Sequence, residues 1–354
     1  MKLYSLGVLV AAVLFCGEHA FAFQRGQVLS ALPRTSRQVQ ALQNVTATYK
    51  IVLWQPVTAE YIVKGYEVHF FVNASDVSNV KAHLNASGIP FRVLVENVED
   101  LIRQQTSNDT ISPRASSSYY EQYHSLNEVT YYYGKEKMHT NLLKNMDFYI
   151  MPVVNVDGYD YTWKKDRMWR KNRSLHEKNA CIGTDLNRNF ASKHWCGEGA
   201  SSSSCSEIYC GTYPESEPEV KAVADFLRRN IKHIKAYISM HSYSQKIVFP
   251  YSYSRSRSKD HEELSLVAQE AVYAMENIHR NIRYTHGSGS ESLYLAPGGS
   301  DDWIYDLGIK YSFTIELRDK GKYGFLLPER YIRPTCSEAL AAVAKIASHV
   351  IRNV

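Results

Sequence analysis

AYISMHSYSQ, residues 236–245, alternates apolar and polar positions and then ends on a histidine, His241, followed by Ser-Tyr-Ser. Period-two alternation is the signature of a half-buried strand. A histidine at the end of such a strand is a candidate metal ligand. Catalytic zinc takes three protein ligands and keeps a fourth position open. The stretch therefore predicts a strand in a sheet and sets a search for two further ligands.

Working outward, FYIMPVVNV (148–156), KAYISMHSY (235–243), KIVFPYSY (246–253) and YSFTIEL (311–317) read as strands separated by helical patterns. One helix opens at Ser216-Glu217-Pro218-Glu219, a capping box with proline in the first turn. Another runs from His261 to Ile278. The last opens at Thr335-Cys336-Ser337-Glu338 with an apolar stripe of Leu340, Val343, Ala344, Ile346 and Val350. Strands alternating with helices predict an α/β domain with a mixed twisted sheet flanked by helices. Upstream, residues 23–105 alternate YKIVLWQPV, YEVHFFV and FRVLVENV with the helical DVSNVKAHLNASGI, a small α+β domain. Between the two lies TSNDTISPRASSSYY, a polar linker of the kind proteases cut. Arg114-Ala115 within it resembles a site for a trypsin-like protease.

The N-terminus reads as a secretory signal over 1–22: Lys2, an apolar run from Leu3 to Phe15, and the small-x-small pattern Ala20-Phe21-Ala22. Secretion, with no membrane anchor, agrees with glycosylation sequons beginning at Asn44, Asn73, Asn85, Asn108 and Asn172. Cys181, Cys196, Cys205 and Cys210 cluster around a Ser-rich loop, which suits two disulfides; a zinc knuckle is the rival, without a C-x-x-C pair. Cys336 is left over, expected buried and free. A formal charge of +5 with 22% charged residues is too mild to imply nucleic acid. KKDRMWRKNR, however, holds six basic residues in ten, which keeps a heparin-like polyanion surface as a rival reading.

Three further segments carry chemistry. Glu316 in TIELRD is a carboxylate at an apolar strand end: a general base beside a metal-bound water, or half of an ion pair with Arg318 or Lys310. Asn187 and Arg188 in LNRNF, and Arg170 in RMWRKNR, are candidates to grip a carboxylate, or ordinary surface residues. In SLYLAPGGSDDW, Tyr294 precedes a turn bearing Asp301 and Asp302, a solvated tip or the base of a pocket for a cationic side chain.

DLNRNFASKHWC, SMHSYSQ, LAPGGSDDW and TIELRDKGKYGFLLP together resemble the zinc metallocarboxypeptidases of the A/B type, over almost the whole chain. The resemblance implies one Zn2+ per chain with His241 as a ligand and Glu316 as general base. Arg170 would stabilise the oxyanion; Asn187, Arg188, Tyr243 and Tyr294 would bind substrate. Asp301 would pair with a C-terminal Lys or Arg of a peptide or protein substrate. Residues 23–114 would be an activation propeptide, and 115–354 the carboxypeptidase domain.

That family draws its first two zinc ligands from a His-x-x-Glu motif upstream of LNRNF. None of the thirteen histidines here has a glutamate three residues on. HSLNE resembles the start of the catalytic domain, whereas VTYYYGKEKMHTNLL resembles a stretch beyond the ligand motif, and the two join directly at Glu128-Val129. His124 and Glu128 read as a solvated helix start rather than substitute ligands. The sequence thus predicts a family member whose domain is shortened at about 128/129, with an incomplete zinc site and exposed strand edges.

Overall fold

The computed structural model describes residues 26–106, 123, 142, 145–176 and 181–353. Residues 26–106 form the expected small α+β domain. Its strands β1 (Gln27–Ala31), β2 (Ile51–Gln55), β3 (Val68–Val72) and β4 (Phe91–Val95) make an antiparallel sheet in the order β2-β3-β1-β4. Helices α1 (Ser36–Thr48) and α2 (Val77–Ala86) lay Leu42, Val45, Val80 and Leu84 onto Leu29, Val68, Phe70 and Val72. Thr35 caps α1 by accepting from the Gln38 amide. Helix α3 (Val98–Thr106) closes the domain.

The larger domain is built on β5 (Ala236–His241), β6 (Lys246–Phe249), β7 (Thr285–Ser288) and β8 (Tyr311–Glu316), in the order β5-β8-β6-β7. The sheet is mixed: β5/β8 and β6/β7 are parallel, β6/β8 antiparallel. Alternation along β8 decides which face does what. Tyr311, Phe313 and Ile315 join Ile247 and Phe249 beneath α6 (His261–Ile278) and α9 (Ile332–Asn353). Each such side chain contributes roughly 1.5–3 kcal/mol on burial. Ser312, Thr314 and Glu316 point to the other face, where Ser312 donates to the Asp301 carbonyl of α8 (Ser300–Leu307). There α5 (Pro218–Asn230) and α8 pack around Phe190, Val220, Leu227, Trp303 and Ile304, and the short α7 (Gly289–Ser292) follows β7.

Several expectations are corrected. FYIMPVVNV is no strand: residues 148–155 carry neither helix nor strand, and helix α4 (Val156–Lys164) begins at its end, capped by Asn155. No described strand runs alongside to accept its ladder bonds, so Tyr149 (66%) and Met151 (58%) stay exposed. The N-cap of α5 is Glu217, since Ser216 turns its hydroxyl to the Glu217 carboxylate instead of to the helix amides. Helix α9 opens at Ile332, earlier than expected, and Leu340 faces solvent while Ala342, Ile346, Ala347 and Val350 are buried. Cys336 is free but exposed. The other four cysteines pair as Cys181–Cys205 and Cys196–Cys210.

The two domains share an apolar seam. Val28, Trp54, Val95 and Val98 meet Tyr243 and Leu326 there. Trp54 stands edge-on to Tyr243 and Phe325, with ring centroids 6.3 and 5.4 Å away. Gly324 permits that approach: its φ is +52°, and a Cβ would lie 2.6 Å from the indole. His69 of β3 lies parallel to the Tyr243 ring with Nδ1 3.1 Å from its hydroxyl. Replacing Trp54 by Ala is expected to cost about 3 kcal/mol in denaturant unfolding, as for other buried aromatic deletions. A loss below about 1 kcal/mol would show that the seam does not support the fold.

Candidate active site

The pairing of β5 with β8 sets His241 directly opposite Glu316, at the carboxyl ends of two adjacent parallel strands. In open α/β sheets this is where ligands collect. Tyr237, Ser239 and His241 alternate onto the same face as Ser312, Thr314 and Glu316, so the polar face of the sheet is the candidate site. His241 Nε2 lies 2.9 Å from the Ser239 hydroxyl. Burial pulls its pKa down to about 4, helped by the nearby charge of Arg170.

Glu316 pairs with neither Arg318 nor Lys310. Arg318 is committed to Glu338, and Lys310 to Glu263. Its Oε2 is buried without a hydrogen-bond partner among the described residues. Burial pushes the carboxyl up to about 8; Arg170 opposes that shift, Asp301 adds to it, and Lys246 opposes it. A carboxylate so placed is kept basic by its surroundings, as proton abstraction requires.

Arg170 presents Nε and Nη2 to Asp185 Oδ2 at 3.1 and 2.8 Å. Asp185 escaped the sequence reading; asking what anchors a buried arginine would have pointed to the carboxylate beginning DLNRN. Burial alone would raise its pKa, but Arg170 and then Arg188 hold it below the usual range. Arg188 is buried, donating from Nε to the Gly199 carbonyl at 2.9 Å and from Nη1 to the Asn187 carbonyl at 2.8 Å. Its Nη2 is buried with no partner among the described residues, and its guanidinium lies 5.8 Å from the Tyr294 ring centroid. Asn187 Oδ1 accepts from the Ser300 amide at 3.1 Å, tying LNRNF to α8. Gly298 allows the close crossing of these segments: its φ is +82°, and a Cβ would meet the Arg188 carbonyl at 2.1 Å.

Asp301 and Asp302 are buried in the first turn of α8, not on a solvated tip. Asp302 accepts from the Ser252 and Tyr253 amides, which makes it a brace for the β6 exit. Burial raises the Asp301 carboxyl pKa and, together with Asp301 itself, that of Asp302. Tyr243 lies under the N-terminal domain rather than open to substrate.

The KKDRMWRKNR run turns several of its charges to partners within the protein. Lys171 donates to the Ser204 carbonyl, Arg173 lies 3.6 and 4.3 Å from the Tyr161 and Trp169 ring centroids, and Arg170 is tied to Asp185. Only Lys164 and Lys165 of its basic residues are exposed. Asn172 is withdrawn as a glycosylation site, because it is buried with its amide given to Glu217. Asn44, Asn73 and Asn85 are exposed. Asn108, Arg114, Ala115, His124, Glu128 and the 128/129 join lie outside the described residues.

Residues 117–342 match the family model described as zinc carboxypeptidase, and 29–105 the carboxypeptidase activation peptide. The chain belongs to the zinc carboxypeptidase family. It is 80% identical to carboxypeptidase B2 of Bos taurus and 66% identical to that of Homo sapiens, each over the whole of both chains. A crystal structure of thrombin activatable fibrinolysis inhibitor matches with a TM-score of 0.89 at 79% identity, covering 94% of this chain and 100% of that one. The family's build, a carboxypeptidase domain behind an activation peptide, is that of a zymogen. The Bos taurus alignment runs over 423 positions, and this chain has 354 residues, so 69 positions have no counterpart here.

Zinc is the metal this family implies. Among the described residues no three His, Cys, Asp or Glu side chains come together to hold a metal ion. His241 alone does not meet the requirement for three protein ligands, so the described residues do not fit the group.

The raised Asp301 pKa gives a pH prediction. The folded chain holds this proton to higher pH than the unfolded chain, whose Asp titrates near 3.9, so the ionised form costs stability as pH rises through that interval. Asp301→Asn is expected to raise the thermal midpoint at pH 8 and to leave it nearly unchanged at pH 3. An equal effect at both would show that the carboxylate charge is not the cause.

Proposed function

We propose that the chain is a secreted zymogen of the basic carboxypeptidase type, directed at C-terminal Lys or Arg, whose shortened domain has lost hydrolysis. A signal over 1–22, an activation peptide over 23–114 released by a trypsin-like protease at Arg114–Ala115, and a domain over 115–354 shortened at 128/129 complete the reading. The name of the matched thrombin activatable fibrinolysis inhibitor supports a role in regulating fibrinolysis. Two disulfides agree with export.

One observation carries the proposal. Arg170 and Arg188 act electrostatically on His241, and Arg170 and Asp301 on the Glu316 opposite it, yet among the described residues no second and third ligand joins His241. Asp301 is the charge a cationic side chain needs at the pocket base. The orphaned Nη2 of Arg188, with Asn187 and Tyr294 beside it, is what a terminal carboxylate needs. Arg170 would polarise the scissile carbonyl and Glu316 would take the proton of the attacking water. Without the metal that activates this water, the grip outlasts the cut.

Two measurements test this. After cleavage at Arg114, elemental analysis is expected to find far less than one zinc per chain, and a C-terminal Arg peptide to release no arginine. Zinc near one per chain with arginine release would overturn the loss of hydrolysis. Calorimetry is expected to show a C-terminal Lys peptide binding the unaltered chain more tightly than Asp301→Ala. Equal binding would remove the basic pocket.

A further inference from the structure

Beside the candidate site, a cavity of about 450 Å³ runs between β2 of the activation segment and the larger domain. That volume lies within the range of small-molecule sites. Its walls include Leu53 and Trp54 from β2, and Met168, Trp169, Phe325 and Ile332 from the larger domain. Three guanidiniums line it: Arg167, Arg170 and Arg318.

Two of these charges are answered within the protein. Arg170 has Asp185, and Arg318 has Glu338. Among the described residues no carboxylate pairs with Arg167. Its Nη2 donates to the side-chain oxygen of Gln105 at 3.3 Å and to the Phe325 carbonyl at 3.2 Å, both neutral. Burial pulls its pKa down, and the groups that oppose this are Tyr123 and Tyr159, which are also neutral. Glu207 lines the cavity too, but the cations acting on it are Lys171 and Arg170. In the β2 wall, the Trp54 Nε1–H is buried without an acceptor among the described residues. A half-buried cation without a counter-ion among the described residues and an orphaned donor beside apolar walls are both costly until an anion satisfies them.

We propose that this cavity binds a small amphiphilic monocarboxylate, its carboxylate on Arg167 and its apolar tail along Trp54, Trp169 and Phe325. Because β2 forms one wall, the ligand bridges both domains and holds the activation segment in place. Binding to the folded chain alone raises its apparent stability by mass action.

The uncleaved chain would be titrated with octanoate and with its neutral analogue octanamide, following tryptophan fluorescence and the thermal midpoint. Octanoate is expected to bind saturably, roughly ten-fold tighter than octanamide, as a charge-assisted hydrogen bond allows, and to raise the midpoint. Arg167→Met, which keeps an apolar stem and drops the charge, is expected to abolish the preference. Equal binding of the two probes, no saturable binding, or a preference that survives in Arg167→Met would overturn the proposal. Should Arg167→Met fail to fold, the octanoate and octanamide comparison on the unaltered chain decides it.

Discussion

The parallel register of β5 on β8 is the constraint from which the rest of the larger domain follows. It puts His241 opposite Glu316, and the strand period sends their apolar neighbours to α6 and α9 and their polar neighbours toward α8. A slip of one residue would exchange the two faces, burying Ser312 and Thr314 in the core and exposing Phe313 and Ile315. Core packing therefore fixes the site: the register that buries Phe313 is the register that assembles the carboxylates and guanidiniums. The same burial gives them their chemistry, since a low-dielectric surrounding lowers an imidazole and raises a carboxyl together.

Latency has an equally plain physical form. Tyr243, expected on the substrate side, is held beneath Trp54 and against the His69 ring, with its hydroxyl engaged. The seam is mostly apolar, so it weakens little with salt, and releasing it exposes Trp54, Phe325 and Leu326 together. The proposed cut at Arg114 would not by itself dissolve such a contact. It removes the tether, and the segment's own affinity for the larger domain then governs how long the cover stays.

Much of this was legible in the sequence because it rests on local patterns. The alternation in β5 and β8, the span of α6, and the cysteine cluster depend on neighbours in the chain, and they appear where expected. What escaped depends on partners far apart. Asp185 gains meaning only beside Arg170; Asn172 satisfies the sequon rule yet is buried by Glu217 and Thr184. In the basic run KKDRMWRKNR, charge density did not tell which side chains turn inward, as Arg170, Lys171 and Arg173 do. FYIMPVVNV failed for the opposite reason: its composition is that of a strand, but a strand exists only with a neighbour to bond.

That failure joins the fold to the chemistry. Strand β5 sits at the edge of its sheet, with Met240 45% exposed, and the strand-like 148–155 segment remains outside any sheet. An unpaired edge beside an exposed apolar segment is what a sheet shows when neighbouring strands are gone. The 69 alignment positions without a counterpart are enough chain for such strands. On the proposed reading, the ligand motif and the strands that would flank β5 fall within one missing stretch. His241 and Glu316 survive because they sit on β5 and β8, whose pairing needs nothing from the lost side. Among the described residues His241 has no companion ligands and β5 has no outer neighbour, and the proposed shortening would account for both.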